Sequence, residues 1–283
     1  MDQLKPLGIA LLWLGLFAGI GIGVTIGLGE LVPSLGGPLW WLARDGSFRL
    51  VGFAVATLVV GRMLDRHSWS RLGWRSPRTF PWRFLYGVAL GAGMAAVAVL
   101  LAVVTNQATV RLSASGGFWF VALPIGVGLL TAALAEELMF RGYPLRRLAD
   151  ATGPGSATVL LAVAFSAAHL ANPEVDLLST VNIALAAVWL GVAFFSNGGM
   201  ALAWGLHFGW NAGLSLVFDA PVSGIAFAMP GVAYTPGAHM WLDGGRFGPE
   251  GGLIGTLVFL LGSALVLGRG VRRPADWLAQ AAT

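Results

Sequence analysis

The stretches at residues 7–29, 48–64, 84–105, 118–140, 156–171, 177–196, 199–218 and 253–269 are apolar almost throughout, and each approaches the ~20 residues an α-helix needs to cross a bilayer. A chain built this way has lipid as its main solvent. With 57% hydrophobic and 11% charged residues, against roughly 25% charged in a soluble domain, it lacks the charges for a water-exposed surface. The expected fold is all-α, a polytopic integral-membrane bundle of about eight transmembrane helices forming a single domain over residues 1–283. The stretches 48–64 and 156–171 are short for spans, and the former can borrow Pro38–Ala43, where Trp40 and Trp41 suit a membrane interface. The first span is too long for a signal peptide and no small-residue cleavage site follows its Gly-rich core, so it is expected to remain in the chain.

The formal charge of +4 and pI near 10.3 need no nucleic acid to explain them, because basic residues concentrate in the cytoplasmic loops of membrane proteins. With a cytoplasmic N-terminus, that side receives Lys5, Arg62, Arg66, Arg71, Arg75, Arg78, Arg83, Arg141, Arg146, Arg147, Arg269, Arg272 and Arg273, 13 of 17 basic residues. The other side receives Arg44, Arg49, Arg111 and Arg246 with Glu30, Asp45, Glu174, Asp176, Asp219, Asp243 and Glu250. Both termini are therefore expected in the cytoplasm, with the chain a multi-pass protein of the cell membrane. There is no cysteine, which excludes disulfides, thiolate catalysis and Cys-ligated metal centres.

Gly15, Gly19, Gly23 and Gly27 form one smooth stripe on the first span and are expected to let a neighbouring helix approach closely. Gly87 and Gly91 repeat the device in the third. Residues 219–252 are rich in Gly and Pro, too broken for a helix and too apolar for a free linker, and read as an external loop folded over the bundle.

Ionisable residues inside spans are costly, at least ~2.5–3.5 kcal/mol for a central charge, and are functional candidates by default. The fourth span ends in Ala135-Glu-Glu-Leu-Met-Phe-Arg141, the fifth carries Phe165-Ser-Ala-Ala-His169, and the seventh His207-Phe-Gly-Trp-Asn211. His67 and His239 fall in loops and are expected to be solvated. Adjacent helical residues point ~100° apart, so Glu136 and Glu137 cannot serve one pocket equally. Glu137 and Arg141 stand i,i+4 with the acid first, the favourable order for an ion pair. This leaves Glu136 to point elsewhere; it is assigned as the reacting carboxylate with Glu137–Arg141 as a supporting pair, the alternative being one salt-bridge network of both glutamates closing the inner end of the span. His207 and Asn211 share a helix face and can aim two donors at one point, as an oxyanion site requires. Phe165 sits one turn before His169 and is expected to pack beside its ring. At 1.5 Å per residue, counting from Arg146, Ser156 and Gly199, residues Glu136, His169 and His207 lie roughly 15, 20 and 12 Å deep, compatible with one site.

A glutamate beside a histidine can deprotonate a water and return the proton to a leaving amine, the acid–base work of peptide hydrolysis. The helical zinc motif His-Glu-x-x-His and paired intramembrane aspartates are both missing from the sequence. Glu136, His169 and His207 could alternatively hold a zinc ion with an open position for water.

At these residues the chain resembles the CPBP family, the CAAX-protease and bacteriocin-processing (Abi) intramembrane proteases. The family pattern, Glu-Glu-x-x-x-Arg, Phe-x-x-x-His and His-x-x-x-Asn on successive core helices, is matched by Glu136-Glu137 with Arg141, Phe165 with His169, and His207 with Asn211. The resemblance covers residues 80–218. It implies a metal-independent glutamic endopeptidase without cofactor, Glu136 and His169 activating water, His207 and Asn211 forming the oxyanion site, Glu137 and Arg141 supporting them, and a cavity open to the cytoplasmic side and the bilayer. The expected partners are a peptide or membrane-protein substrate and the lipid bilayer. Arg outnumbers Lys 16 to 1 and Ala and Gly are abundant, which suits a GC-rich bacterial genome and favours peptide or membrane-protein processing over prenylated substrates. A non-catalytic immunity or scaffold protein that keeps the same residues as a polar core is the competing reading. A transporter is disfavoured, since no inverted repeat is found.

Overall fold

The computed structural model describes residues 4–32, 40–114 and 116–269. All eight apolar stretches are helical, and the architecture is an all-α bundle. In chain order it comprises α1 (Leu4–Leu31), α2 (Trp41–Ala56) running on as a π-helical segment Thr57–Leu64, α3 (Phe80–Val104), β1 (Ala108–Leu112), α4 (Phe118–Phe140), α5 (Tyr143–Thr152), α6 (Pro154–Ala167), α7 (Leu177–Phe195), α8 (Gly199–Ala212) with a π-helical continuation Gly213–Val217, β2 (Val232–Pro236), α9 (Met240–Asp243) and α10 (Leu253–Gly268). Among the described residues, five helical stretches are long and apolar enough to cross a membrane: Lys5–Leu31, Trp41–Leu64, Phe80–Val104, Phe118–Thr152 and Leu177–Phe195. Pro38, Arg272 and Arg273 lie outside the described residues.

Two span boundaries, of the second and the fifth, differ from the sequence reading, while the fourth span ends where expected but is followed by a further helix. The second span begins at Trp41, so Arg44, Asp45 and Arg49 belong to the helix. Arg44 donates to the carbonyls of Gly29 and Val32 at 3.2 and 2.7 Å, satisfying groups at the exit of α1, and Arg49 pairs with Asp45 one turn away. The fourth span ends at Phe140. The chain then turns at Arg141–Gly142, and Pro144 at the start of α5 has no N–H to continue the ladder. The depth count from Arg146 assumed one unbroken helix and therefore does not apply to Glu136. The fifth span ends at Ala167, leaving His169 in the following turn, its N–H on the carbonyl of Ser166.

Glycines set the packing, but not the expected ones. A Cβ at Gly15, Gly19, Gly23 or Gly27 would meet nothing within 4 Å, so that stripe faces away from the bundle. The α1–α2 contact forms instead at Gly21 and Gly52, where a Cβ on Gly52 would stand 2.4 Å from the Gly21 carbonyl. Gly87 and Gly91 of α3 do pack, against Gly205 and Gly209 of α8. A Cβ on Gly91 would fall 2.3 Å from the Leu206 carbonyl, and one on Gly205 2.3 Å from that of Phe84. Two residues on from Gly205 the helix has turned ~200°, so the glycine seam that seats α8 on α3 turns His207 and Asn211 the other way, towards α4. Trp204 locks this arrangement by donating from Nε1 to the Leu130 carbonyl at 3.0 Å.

The connections sort into two ends. At the arginine-rich end, Arg71 pairs with Asp150 at 2.8 Å and the Tyr143 hydroxyl donates to Asp65 at 2.9 Å. His67, expected to be solvated, is buried there. Its Nε2 contacts Asp65 at 2.9 Å and its ring meets Tyr143 edge-on. A loop histidine can be covered once a neighbouring acid supplies its partner. Burial, and then the nearby Arg71 charge, hold its pKa below the ordinary value, against an opposing pull from Asp65. His239 is exposed, as expected.

At the opposite end β1 pairs antiparallel with β2, Val110 facing Tyr234. Residues 219–252 are therefore an ordered cap. Its acids, which the sequence reading assigned only to the side opposite the basic loops, include two that are buried: Asp243 accepts from the N–H groups of Gly237 and Gly245 at 2.7 and 3.0 Å, and Glu250 is 3% exposed. Asn182 of α7 staples this cap down by donating to the carbonyls of Glu250 and Gly252 at 2.7 and 2.8 Å.

Candidate active site

The two glutamates diverge as helix geometry requires. Glu137 is fully buried. Its Oε1 accepts from Arg141 at 3.2 Å and from Nδ1 of His207 at 2.8 Å. The Glu137–Arg141 pair is thus also the anchor of His207, a link between α4 and α8 that spacing alone does not reveal. The Arg141 guanidinium lies over the Phe165 ring, 4.2 Å from its centroid. Glu136 keeps 20% of its side-chain surface, and its Oε2 is 3.6 Å from Nε2 of His207. One imidazole therefore sits between two carboxylates, bonded to one and facing the other.

His169 is placed by its own turn. Nδ1 lies 2.8 Å from the Phe165 carbonyl, and the two rings are 4.5 Å apart. A carbonyl can only accept, so Nδ1 carries a proton and Nε2 is the ring nitrogen free to face the cavity. The Phe165 ring is near both histidines, its centroid 6.2 Å from that of His207. Asn211 follows His207 by one turn, its backbone carbonyl accepting from the Ser215 hydroxyl at 2.7 Å.

Glu136, His169, His207 and Asn211 line a single cavity of ≈ 280 Å³. Its walls are otherwise chiefly apolar and aromatic, with Trp41, Phe140, Phe165, Trp189, Trp210, Phe227 and Phe259 among them. This is the composition of a small-ligand or peptide site, in which few polar groups orient what the apolar walls hold. The lining comes from mid-bundle and from the capped end, through His169, Asn172, Val222, Ser223, Ile225 and Glu250. The resemblance implies a cavity open on the arginine-rich side; the lining instead draws on the end that residues 219–252 cover.

Several lining residues were not singled out in the sequence. Ser223 and Gly224 form a two-residue turn between the bridged Val222 and Ile225, with φ of 47° and 85°, the positive values a type I′ turn needs. Glu250 holds this turn, accepting from the N–H and hydroxyl of Ser223 at 2.5 and 2.9 Å and from Nε1 of Trp210 at 2.6 Å. Asn172 donates to the Ser223 carbonyl at 2.9 Å. Arg49 of α2 is the cationic residue in the lining. Among the described residues no three His, Asp or Glu side chains converge as a metal site needs.

Residues 117–213 match the model of the family described as type II CAAX prenyl endopeptidase Rce1-like. Over this stretch, about a third of the chain, it is similar to the CPBP family. The CPBP match runs from the cap of α4 to the end of α8 and contains Glu136, Glu137, Arg141, Phe165, His169, His207 and Asn211. The matched family is one of CAAX-type protease hydrolases, and the apolar helices suit a membrane protein. The helices α1 to α3 and the cap over the cavity lie outside the matched segment. No curated protein matches the chain.

Proposed function

We propose that the chain is an intramembrane endopeptidase that hydrolyses a peptide bond with water, using its own side chains and no metal. The observation that carries this reading is the meeting of Glu136, His169, His207 and Asn211 on one apolar cavity of ≈ 280 Å³. Glu136 takes a proton from a water held between it and Nε2 of His169. The resulting hydroxide adds to the scissile carbonyl carbon. Negative charge then develops on the carbonyl oxygen, which accepts from the Asn211 amide and from Nε2 of His207. His207 already donates from Nδ1 to Glu137, so it serves the oxyanion in its doubly protonated form, and Glu137 is what keeps that form in place. The C–N bond breaks as the proton on Glu136 passes to the leaving amine. One oxyanion donor contributes roughly 10²–10³ in rate, and general acid–base transfer a further ~10²–10⁴.

The aromatic walls and the small number of polar groups suit a hydrophobic peptide or membrane-protein segment entering from the bilayer. Residues 80–218 supply the catalytic core and 219–252 its external cap, with both termini on the cytoplasmic side of the cell membrane. The test compares the peptide termini of membranes from cells carrying wild-type or Glu136→Gln protein, followed by cleavage of the identified peptide by purified wild type, Glu136→Gln and His169→Ala. Both variants are expected to fold and to lose cleavage by at least ~10². Folded variants that cut as fast as wild type refute the reading and leave the polar cluster as structural support.

A further inference from the structure

At the arginine-rich end a second cavity, ≈ 190 Å³, lies between the first turns of α3, the α7–α8 turn and the last turn of α10. Arg83 and Arg269 both line it, with Tyr86, Ser196 and Asn197. The Arg269 guanidinium lies over the Tyr86 ring, 5.0 Å from its centroid. Neither Arg83 nor Arg269 is paired with an acid among the described residues, whereas Arg49, Arg71, Arg141, Arg146 and Arg147 all are. Topology alone explains arginines at this end of the bundle. It does not explain why two of them, from distant parts of the chain, converge on one cavity.

The surroundings restrict what such a site can hold. Trp82 and Leu85 on α3, within a turn of Arg83 and Tyr86, are 75% and 52% exposed. Leu265 and Leu267 on α10, within a turn of Arg269, are 42% and 52% exposed. A cationic cleft bordered by apolar helix surface at the end of the spans fits a ligand with an anionic head and hydrocarbon tails. Guanidinium groups match phosphate oxygens in geometry and charge, and basic pockets between transmembrane helices on the cytoplasmic side bind anionic headgroups.

We propose that this cavity binds the phosphate-bearing headgroup of an anionic membrane lipid, with Arg83 and Arg269 on the phosphate and the acyl chains on the exposed flanks of α3 and α10. The lipid would clasp α3 to α10 and thereby steady α8, which rests on α3. A free phosphate would use the same two cations but not the apolar flanks, so the two sources can be told apart.

The experiment places the full chain in neutral phosphatidylcholine nanodiscs and follows its thermal midpoint during titration with short-chain phosphatidylglycerol, short-chain phosphatidylcholine or inorganic phosphate. Phosphatidylglycerol is expected to raise the midpoint saturably and the other two to leave it unchanged. Each guanidinium makes charge-assisted contacts that correspond to about tenfold in affinity, so Arg83→Gln/Arg269→Gln weakens the response about a hundredfold. Arg111→Gln, at the other end of the bundle, leaves it intact. An unaltered response in the double variant overturns the proposal, and so does full stabilisation by inorganic phosphate alone, which would mark a soluble-anion site. Should the double variant fail to fold, Arg269→Gln alone carries the test. That residue is exposed, and a loss of about tenfold is expected, with unchanged affinity again overturning the assignment.

Discussion

Replacing Glu137 with Gln removes one charge from a place where a buried cation and an imidazole N–H both depend on it. The Oε1 atom receives both Arg141 at 3.2 Å and His207 Nδ1 at 2.8 Å, and the side chains of Arg141 and Glu137 are 3% and 0% exposed. Without the carboxylate, Arg141 keeps neutral partners, the Ala187 carbonyl at 3.5 Å, the Phe140 and Phe165 rings and the introduced amide, but no partner charge bonded to it. Breaking a buried pair by removing one partner typically costs about 3–5 kcal/mol, because the other charge stays buried and uncompensated. For a chain of this size each kcal/mol corresponds to roughly 2–4 °C in thermal midpoint, so Glu137→Gln is expected to melt about 10 °C below wild type. The neighbouring Glu136→Gln is the internal control. It removes no hydrogen bond, since its nearest partner is His207 at 3.6 Å, and its midpoint is expected to match wild type. Intrinsic tryptophan fluorescence of both proteins in a mild detergent, heated at one scan rate, measures the difference. A second arm replaces the pair as Glu137→Gln/Arg141→Leu, which removes the stranded cation and is expected to recover part of the loss. A Glu137→Gln midpoint within about 2 °C of wild type, or equal losses for the two glutamates, would refute the assignment of separate roles.

Other expectations concern the walls of the site. Glu250→Ala leaves three donors from Trp210 and Ser223 without their acceptor, a cost of roughly 3 kcal/mol or more; the turn at Ser223–Gly224 should loosen and KM for a peptide substrate rise more than kcat falls. Gly205→Ala puts a Cβ 2.3 Å from the Phe84 carbonyl and should destabilise by about 1–3 kcal/mol while displacing His207, whereas Gly15→Ala, with nothing within 4 Å, should melt within about 0.5 kcal/mol of wild type. The buried His67 has its pKa lowered by burial and by Arg71, with Asp65 pulling the other way. The unfolded chain then binds a proton at higher pH than the folded one, so its contribution to stability is complete above its ordinary value of 6.5 and declines as pH falls below it. Melting curves from neutral to mildly acid pH should show that decline in wild type and a shallower one in His67→Gln; identical slopes would contradict the assignment.

What the sequence made legible follows from the solvent. A carboxylate or imidazole within an apolar run is conspicuous because lipid penalises it, and Glu136, Glu137, His207 and Asn211 could be found on that ground. Outside the runs no such penalty operates, so burial leaves no trace in composition. Glu250 and Asp243 look like solvated acids of a Gly-rich loop until the fold brings Ser223, Trp210, Gly237 and Gly245 to them. His67 was missed for the same reason. The glycine stripe on α1 shows the reverse error. Small residues at four-residue spacing permit close packing, but which stripe is used depends on where the partner helix sits, and Gly205 with Gly209 had no stronger signal than Gly15 with Gly19. The helix that follows Arg141–Gly142 was hidden because Tyr143-Pro-Leu-Arg-Arg reads as well as a basic loop as it does as a short amphipathic helix.

The cap stapled by Asn182 and Glu250 bears on the order in which the site comes into being. A ribosome delivers Glu136, His169, His207 and Asn211 well before it delivers Glu250 and Phe259, so during synthesis the polar groups are all in the bilayer while one wall of their cavity is still unmade. Asn182, placed on α7, waits through almost seventy further residues for the carbonyls it will hold. A nascent chain therefore carries the reactive groups without the enclosure that would seat a peptide against them, and the site becomes whole only when α10 docks. Closure of the cavity is in this way tied to completion of the bundle, so any chemistry that needs all of its walls must wait for the last helix.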